Sequence, residues 1–446
     1  MGDRPYSWVV HSHELYNMGH MYEGAVAYYR ATGKDKWLRI AEKSARHINH
    51  VFFEGDPAYN GGKPVMQAPG HEEIELALVK LYQSTGDTLY LNMAKRFIDI
   101  RGITFKPEGE GVLAQTGDTS LRPALDSIWG NIVDTRMHIT GGLGAIHGIE
   151  GFGPEYELPN MGAYDETCAA VGNVLFNYRM FMAEKDGKYI DVAEVALYNN
   201  VLAGVNLEGN RFFYVNPLEV DGRRAFNQGF QGRAPWFGTA CCPSNLARLI
   251  PQIPGMMYAH TDDDIYCTFY GGTSATIPLG RGNIGIRQET GYPFDETVSL
   301  TVSPEKASQK FALHLRIPTW AGDRFVPGKL YSYVNRQPGT WSLTVNGKPA
   351  KVKVDKGFAV IDRKWEKGDC VAGRNRRGGS CRDAVDARLH CRYHSHLHLR
   401  HRRRESHRHQ QIPLKFARHI HAPLDQLAQK GRKTIDRTEA ETSREP

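Results

Sequence analysis

The sequence predicts an α+β protein in which a toroid of paired helices is followed by an antiparallel β-sandwich. The first half of the chain holds four stretches that each contain two amphipathic helices joined at a glycine. After Gly209 apolar residues instead recur at every second position, which is typical of antiparallel strands with one buried face. With 446 residues, 41% of them hydrophobic, the chain is long enough for two or three domains with a large core.

The paired helices are predicted from a recurring turn. The four hairpins occupy residues 28–48, 81–100, 114–133 and 182–202, with turns at Gly33, Gly86, Gly117 and Gly187. Each of these glycines is predicted to be a helix C-cap, because glycine adopts the left-handed conformation that such a cap requires. Repeated hairpins bury their apolar faces against their neighbours, so a closed toroid is the expected arrangement.

The β-sandwich is predicted from stretches of alternating apolar and polar residues: 211–220, 264–279, 283–303, 310–322 and 341–369. One helix is predicted over about residues 243–258. No strand is predicted after Asp369, because the alternation ends near Cys370. The predicted domains are therefore an incomplete helical barrel (1–209), a β-segment and helix that complete it and carry a cysteine pair (210–260), a β-sandwich (261–370) and a disordered tail (371–446).

The tail accounts for the basic character of the chain. Residues 374–446 hold 18 Lys and Arg against 8 Asp and Glu, whereas the remainder holds 38 basic and 41 acidic residues. Nine of the nineteen histidines also lie in the tail. A nucleic-acid arm or a His-rich metal tract would explain this composition, but neither is favoured over a disordered end without function. Nucleic acid is therefore not an expected partner, and the sequence does not determine the oligomeric state.

The cysteines favour a reducing environment. There are seven, an odd number without the spacing of a disulfide framework. Cys241 and Cys242 are adjacent, and Cα atoms about 3.8 Å apart are too close for a relaxed disulfide. The sequence also contains no apolar run of about 18 residues and no signal peptide at its start. We therefore expect a protein without a membrane partner, located in the cytoplasm.

Two short motifs supply the residue types of a metal site. The Glu166-Thr-Cys168 segment provides a carboxylate and a thiol, and Cys241 and Cys242 provide two more thiols, a set that zinc accepts. Glu150 lies sixteen residues before Glu166, in a Gly-rich segment suited to an active-site loop. Each cysteine alone could equally be an ordinary core residue, and the zinc could be purely structural. Cys267 is interpreted as a core residue.

Together with these motifs, longer segments carry a resemblance to a known family. The relevant stretches are HELYNMGHMYEGAVAYY (13–29), GHEEIELALVKLY (70–82), TGGLGAIHGIEGFGPEYELPN (140–160), ETC (166–168), FFYVNPLE (212–219) and the CC pair. In this order they resemble glycoside hydrolase family 127, the β-L-arabinofuranosidases. The resemblance spans roughly residues 13–369.

The resemblance implies an (α/α)6 barrel followed by β-sandwich domains. It further implies zinc held by Glu166, Cys168, Cys241 and Cys242, with Cys241 as the nucleophile, Glu150 as the general acid/base, and His13, His71 and Tyr214 as sugar contacts. The chemistry of these residue types agrees with the implied roles. Hydrolysis of a glycosidic bond with retention of the anomeric configuration requires a nucleophile on one face of the sugar and a proton donor beside the leaving oxygen. A zinc-bound thiolate could replace the usual nucleophilic carboxylate.

The predicted function is a zinc-dependent retaining exo-glycosidase that releases terminal β-L-arabinofuranose or a related sugar from plant-type glycans. The chain departs from the family in three places. It is expected to lack part of the barrel's start, an inner helix where ITFKPEGEGV (103–112) stands, and strands beyond residue 370. A non-catalytic, zinc-stabilised carbohydrate-binding remnant is therefore the alternative, and a nucleic-acid-binding protein that uses the tail is a third hypothesis.

Overall fold

The structure is a computed structural model that describes residues 5–6, 9, 13–104, 122–322, 324–332, 340–376 and 390–391. It divides into two compact units, Met1–Asp126 and Ser127–Pro446. The predicted turn at Gly117, nearly all of the ITFKPEGEGV segment and most of the basic tail lie outside the described residues. The expectations about a missing inner helix and a disordered tail therefore stay predictions.

The first unit is built from the predicted helical hairpins. Its helices are α1 (Glu14–Thr32), α2 (Lys36–Asn49), α3 (Ile74–Thr85) and α4 (Thr88–Thr104). Gly33 ends α1 with φ +69° and Gly86 ends α3 with φ +75°, so both predicted glycine caps are confirmed. Apolar side chains from all four helices form one core that includes Tyr22, Ile48 and Phe97.

The second unit continues with helices and ends in two β-sheets. After α5 (Arg122–Asn131), which begins in the first unit, its helices are α6 (Thr167–Glu184), α7 (Gly187–Ala196), α8 (Cys241–Leu249) and α9 (Ile253–Met256). The helix predicted over 243–258 thus begins two residues earlier, and a 3₁₀ turn at Ile250–Gln252 divides it. Further 3₁₀ turns of the second unit are His147–Ile149, Leu202–Gly204 and Thr319–Ala321, and the first unit contains one at Asn60–Gly62.

The turn between α6 and α7 differs from its prediction. Lys185, not Gly187, takes the left-handed conformation that ends α6, with φ +54°. Asp186 then caps α7 by accepting a hydrogen bond from the backbone N–H of Lys188. Gly187 instead permits a close approach, because a β-carbon there would lie 3.2 Å from the backbone oxygen of Lys356.

Three of the helices end in a π-helical turn. These turns are His50–Glu54 after α2, Ile132–Arg136 after α5 and Leu197–Val201 after α7. A π turn inserts an extra residue into the helical repeat and is frequent at functional sites. The second and third turns lead directly into the irregular segments 137–166 and 202–240, which contribute to the candidate site described below.

The strand predicted over residues 211–220 does not form. Residues 205–240 contain only isolated bridges, among them Val205 with Phe212, Phe212 with Ala234, and Glu166 with Val215. Pro217 lacks a backbone N–H and cannot continue a ladder, so pairing stops soon after Val215. The apolar residues do alternate in this stretch, but its backbone pairs only through isolated bridges with single residues of three different segments.

The β-sandwich has two main sheets. Its strands are β1 (Tyr258–His260), β2 (Asp264–Cys267), β3 (Thr273–Leu279), β4 (Gly282–Thr290), β5 (Thr297–Pro304), β6 (Ser308–Arg316), β7 (Tyr331–Ser332), β8 (Thr340–Val345), β9 (Lys348–Pro349), β10 (Lys353–Asp355), β11 (Phe358–Glu366), β12 (Asp369–Arg376) and β13 (His390–Cys391). The sheet orders are β1-β2-β6-β11-β10 and β3-β4-β5-β12-β8-β9, with β13 paired to β7. All pairs are antiparallel except β2 with β6.

The two sheets share one apolar core. Cys267 is fully buried in it beside Leu313 and Trp365, which confirms its interpretation as a core residue. Strand β12 corrects the prediction that no strand follows Asp369, since it pairs with β5 on one side and β8 on the other. Val371 is the one large apolar side chain of this strand that is fully buried. A single apolar residue does not make an alternating pattern, so the sequence did not predict the strand.

A buried ion network joins α7 to the sandwich. Arg316, the last residue of β6, is 1% exposed, and its guanidinium contacts the carboxylates of Asp191 and Glu194 on α7. Its Nε also donates to the backbone oxygen of Thr268 at 2.7 Å. Glu194 additionally accepts from the Tyr292 hydroxyl at 2.5 Å. Helix and sandwich are thus held together by buried, charge-assisted hydrogen bonds.

Across the part of the chain that the structure describes, no helix combines the length and the apolar character needed to span a bilayer.

Candidate active site and metal centre

The two predicted cysteine motifs meet in the second unit. One ligand atom from each of Glu166, Cys168, Cys241 and Cys242 lies within 4.8 Å of the others. The Cys242 Sγ lies 3.2 Å from the Cys168 Sγ and 4.0 Å from the Cys241 Sγ. The Glu166 Oε1 lies 3.5 Å from the Cys242 Sγ and 3.7 Å from the Cys241 Sγ.

This spacing suits a tetrahedral zinc ion. Zinc binds thiolate sulfur at about 2.3 Å and carboxylate oxygen at about 2.0–2.2 Å, so tetrahedral ligands stand roughly 3.5–3.8 Å apart. The two sulfur–oxygen distances, 3.5 and 3.7 Å, lie within that range, and the two sulfur–sulfur distances, 3.2 and 4.0 Å, lie on either side of it. Three thiols with one carboxylate are also a donor set that zinc accepts. The four side chains could therefore hold the ion.

Helix α8 presents the cysteine pair. Cys241 and Cys242 are its first two residues, where free backbone N–H groups and the positive end of the helix dipole favour thiolates. Pro243 follows at the third position, where the absence of a backbone N–H costs little. One turn further along, the Asn245 amide donates to the Cys168 Sγ at 3.1 Å. The helix therefore supplies two ligands and supports a third.

The Glu166–Cys168 segment is held by main-chain hydrogen bonds. Glu166 is the extended residue before α6 and forms an isolated bridge with Val215. The N–H of Thr167 donates to the backbone oxygen of Tyr214 at 3.0 Å, and its hydroxyl donates to that of Phe213 at 2.8 Å. These bonds fix the segment against the stretch that carries Tyr214.

Buried asparagines support both segments. Asn227 is fully buried, and its Oδ1 accepts from the N–H groups of Tyr214 at 2.7 Å and Val215 at 3.2 Å. Asn200 is also fully buried and donates to the Asp165 carboxylate at 3.0 Å. Neither asparagine carries a ligand atom. Their amides replace the ladder hydrogen bonds that an ordinary strand would provide here.

Tyr214 lies against the cluster. The residue is 4% exposed, and its hydroxyl oxygen is hydrogen-bonded to the Cys241 Sγ at 3.3 Å. Its ring packs edge-on against Phe237 at 5.6 Å and Tyr164 at 6.3 Å between centroids. Tyr214, which the family resemblance implied as a sugar contact, thus also makes a hydrogen bond with Cys241.

The sulfurs of the cluster differ in their readiness to ionise. Hydrogen bonds from Cys168, then from Cys242, hold the pKa of Cys241 well below its usual range. The pKa of Cys168 is raised by its hydrogen bond to Cys241, and the pKa of Cys242 is raised by burial. Burial also raises the pKa of Glu166 to about 7. Of the three thiols, Cys241 is therefore the one whose pKa its surroundings lower.

Glu150 lies within the Gly-rich segment 140–160. It follows the 3₁₀ turn His147–Ile149 and has left-handed backbone angles, φ +49° and ψ +45°. Its side chain is exposed, and its Oε1 accepts a hydrogen bond from the Tyr164 hydroxyl at 2.8 Å. Burial raises the pKa values of Tyr164 and Tyr214 far above the ordinary range, so both remain hydroxyl donors. The two tyrosines connect Glu150 to Cys241.

His13 and His71 form a separate group in the first unit. His13 directly precedes α1 and His71 lies three residues before α3. Both are exposed, and their rings stack with centroids 4.7 Å apart. Tyr16 contacts the His71 ring at 5.3 Å and the His20 ring at 4.2 Å. The structure thus brings the two predicted histidines together.

Comparison with known proteins decides the family. A profile described as the β-L-arabinofuranosidase GH127 catalytic domain matches residues 3–114 and 100–255, and one for the GH127 middle domain matches residues 264–374. The chain belongs to the GH127 family. A non-reducing end β-L-arabinofuranosidase of Bifidobacterium longum subsp. longum is 33% identical over 417 aligned residues, which cover 80% of this chain and 60% of the relative.

Solved GH127 structures share the fold. A GH127 β-arabinofuranosidase is 42% identical with a TM-score of 0.76, covering 84% of this chain and 61% of that protein. A GH127 β-L-arabinofuranosidase from Geobacillus stearothermophilus T6 is 36% identical with a TM-score of 0.72, covering 83% and 63%. The predicted fold class, an (α/α)6-type helical domain followed by an antiparallel β-sandwich, is confirmed. The chain spans about three fifths of the length of these GH127 relatives.

Sequence reasoning missed three residues of this GH127 site. Tyr164 precedes the Glu166-Thr-Cys168 motif by two positions, and its hydrogen bond to Glu150 joins residues fourteen apart. Asn245 lies one helical turn after Cys241, a spacing that places both on one face. Asn227 begins a turn in which Gln228 and Gly229 both have positive φ, a conformation for which the glycine is the sequence signal. The sequence offered signals for the last two only.

Proposed function

We propose that this GH127 chain is a retaining glycoside hydrolase that removes terminal β-L-arabinofuranose, or a related sugar, from plant-type glycans. The observation that carries the proposal is the cluster of three thiols and one carboxylate, in which Cys241 is the first residue of α8. GH127 membership and the named activities of its relatives support the substrate class. An exo mode of action agrees with the non-reducing end specificity named for the Bifidobacterium relative.

Glu166, Cys168, Cys241 and Cys242 would hold a zinc ion. Bound there, zinc would keep the cysteines deprotonated at neutral pH and make Cys241 a better leaving group. The Asn245 amide and the N-terminus of α8 compensate part of the negative charge of the ligands. The donor set and its spacing support this assignment.

In the first step the Cys241 thiolate attacks the anomeric carbon. A carbon–sulfur bond forms, the glycosidic carbon–oxygen bond breaks, and Glu150 gives its proton to the departing oxygen. The Tyr214 hydroxyl, 3.3 Å from the Cys241 Sγ, orients the sulfur and can turn to a sugar hydroxyl when the sulfur is alkylated. His13 and His71 are proposed as further sugar contacts.

In the second step Glu150, now a carboxylate, takes a proton from water. The water oxygen bonds to the anomeric carbon, the carbon–sulfur bond breaks, and Cys241 leaves as a thiolate. Two displacements at one carbon restore its configuration, so the released sugar keeps the β-anomer.

The mechanism is tested by two substitutions. We expect Cys241→Ala to abolish arabinose release, because no nucleophile remains. Glu150→Gln should lower kcat/KM for an alkyl β-L-arabinofuranoside by about 10²–10⁴, the usual contribution of general acid catalysis. Rates and product anomer are measured by chromatography and proton NMR. Cys370→Ala, in strand β12, is the matched control and should match the native enzyme.

Zinc per chain is measured on the same samples by elemental analysis. A ratio near one in the native chain that collapses in Cys168→Ser would support the ligand set. Inverted product, or release that survives Cys241→Ala, would defeat the mechanism. Sugar binding without any release would favour the alternative of a non-catalytic, zinc-stabilised carbohydrate-binding remnant.

A further inference from the structure

Tyr164 is placed to control the proposed acid/base. Its hydroxyl donates to one carboxylate oxygen of Glu150, the Oε1, at 2.8 Å. Glu150 itself is exposed and lies on a loop in the left-handed conformation, so water competes for both of its oxygens. An acid/base must hold its proton within hydrogen-bond reach of the leaving oxygen. A fixed donor on one oxygen would provide that restraint.

The Tyr164 ring is rigid. The residue is 3% exposed and belongs to the same apolar cluster as Tyr214 and Cys242. Its ring packs edge-on against His147 at 5.1 Å and Tyr214 at 6.3 Å between centroids. Asp165, the next residue, is fully buried and bonded to Asn200. Both the ring and the adjacent backbone are thus held by packing, which makes the hydroxyl a fixed point.

Two tyrosine hydroxyls therefore serve the two reacting groups. Tyr214 is hydrogen-bonded to the proposed nucleophile Cys241, and Tyr164 donates to the proposed acid/base Glu150. The two rings contact each other, so one packed pair of tyrosines links the two reacting side chains. A retaining mechanism depends on the separation of its two reacting groups.

We propose that Tyr164 is the positioning residue of Glu150, holding Oε1 so that Oε2 carries the proton to and from the reacting oxygen. The inference rests on the proposed function, because Tyr164 has this role only if Glu150 is the acid/base. A charge-assisted O–H···O⁻ bond is strong and directional enough to select one carboxylate oxygen. Tyr164 exchanges no proton with the substrate and makes no bond to it.

The test compares two leaving groups. Tyr164→Phe keeps the ring and removes the hydroxyl. We expect kcat/KM to fall about 10- to 100-fold for an alkyl β-L-arabinofuranoside, whose leaving oxygen must be protonated, as part of the general acid contribution. For 4-nitrophenyl β-L-arabinofuranoside, whose leaving group departs without a proton, kcat/KM should stay within about twofold, since the hydrogen bond to Glu150 serves proton transfer alone.

A double-mutant cycle separates positioning from a merely structural role. If Tyr164 acts through Glu150, the variant Glu150→Gln/Tyr164→Phe should lose no more activity on the alkyl substrate than Glu150→Gln alone. Tyr258→Phe is the control: it removes a tyrosine hydroxyl 2.8 Å from the Thr273 hydroxyl in the sandwich, and it should leave both substrates unaffected. Zinc content, measured in parallel, should be the same in all variants.

Distinct outcomes overturn distinct claims. An equal loss on both substrates, multiplicative losses in the double variant, or loss of zinc in Tyr164→Phe would make Tyr164 structural and overturn the inference. Tyr164→Phe could match the native enzyme on both substrates while Glu150→Gln loses activity only on the alkyl substrate. That result would overturn the inference and leave the proposed function intact. If Glu150→Gln showed no dependence on the leaving group, the acid/base assignment would fail and the role of Tyr164 with it.

Discussion

At Gly142 the loop before the candidate site leaves no room for a β-carbon. An added β-carbon would overlap the Asp165 Oδ1 and the Asn200 Nδ2. Asp165 is fully buried and directly precedes the proposed ligand Glu166. Its backbone N–H also donates to the oxygen of Gly144 at 2.8 Å. The absence of a side chain at Gly142 thus allows Asp165, and with it the adjacent Glu166, to take its observed position.

We therefore expect Gly142→Ala to displace Asp165 and, with it, Glu166. Overpacking of this kind costs about 1–3 kcal/mol, and zinc content should fall with it. The matched control is Gly148→Ala in the same loop, where an added β-carbon meets nothing within 4 Å. Denaturant unfolding and elemental analysis measure both effects. A Gly142→Ala chain with native stability and full zinc would contradict this account.

At the scale of elements, a two-residue turn replaces the missing strand beside the site. Asn227 and Phe230 bridge across Gln228 and Gly229, whose φ values are +50° and +88°. The Asn227 side chain then accepts two backbone N–H groups and donates to two backbone oxygens, those of Phe212 and Gly232. One side chain provides what a neighbouring strand would otherwise supply.

Asn227→Ala should loosen the segment that carries Tyr214. Leaving buried backbone groups without partners costs about 1–3 kcal/mol. A displaced Tyr214 should lower kcat/KM by about 10- to 100-fold, because small misplacements of active-site groups have effects of that size.

Asn206→Ala is the control for this prediction. Its Oδ1 also accepts two backbone N–H groups, from Asn210 and Arg211, but in an exposed turn. There we expect a change within about 1 kcal/mol and unchanged kcat/KM. Equal effects of the two substitutions on activity would contradict a specific role for Asn227.

At the scale of the whole molecule, the buried Arg316 network connects the helical part of the second unit to the sandwich. The guanidinium faces two carboxylates, Asp191 and Glu194, and burial raises the pKa of Asp191 to about 6 even though Arg316 opposes this. Removing one partner of a buried ion network is strongly destabilising, because the remaining charge stays buried without an opposite charge beside it.

We expect Arg316→Met to lower the free energy of unfolding by about 3–5 kcal/mol near neutral pH. A carboxyl with a raised folded-state pKa is protonated at low pH, so the deficit should shrink as the pH falls through 6 and grow as it rises above 6. Denaturant unfolding at pH 5 and pH 8 measures this. A deficit that is larger at pH 5 would contradict it.

Arg374→Met is the matched control. Arg374 pairs with Glu296 on the surface, where both side chains are about half exposed. Removing that pair should change the free energy of unfolding by no more than about 1 kcal/mol at either pH, because exposed ion pairs contribute little.

Some features of the protein follow from the sequence alone because their causes are local. The caps at Gly33 and Gly86 depend on a single residue's backbone freedom, and both were predicted. The two-residue alternation identified the strands of the sandwich core. The Glu166-Thr-Cys168 and Cys241-Cys242 motifs identified four side chains that do converge, since their residue types are ones that a metal ion accepts.

Other features depend on contacts between distant residues, and only the tertiary structure decided them. The stretch 211–220 alternates like a strand but finds no ladder, whereas β12 has one buried large apolar residue and pairs on both sides. Tyr164 meets Glu150, and Asn227 meets Tyr214, through hydrogen bonds across thirteen or fourteen residues. Hydrogen-bond partners are set by which surfaces fold together, and a linear pattern of residue types does not contain that information.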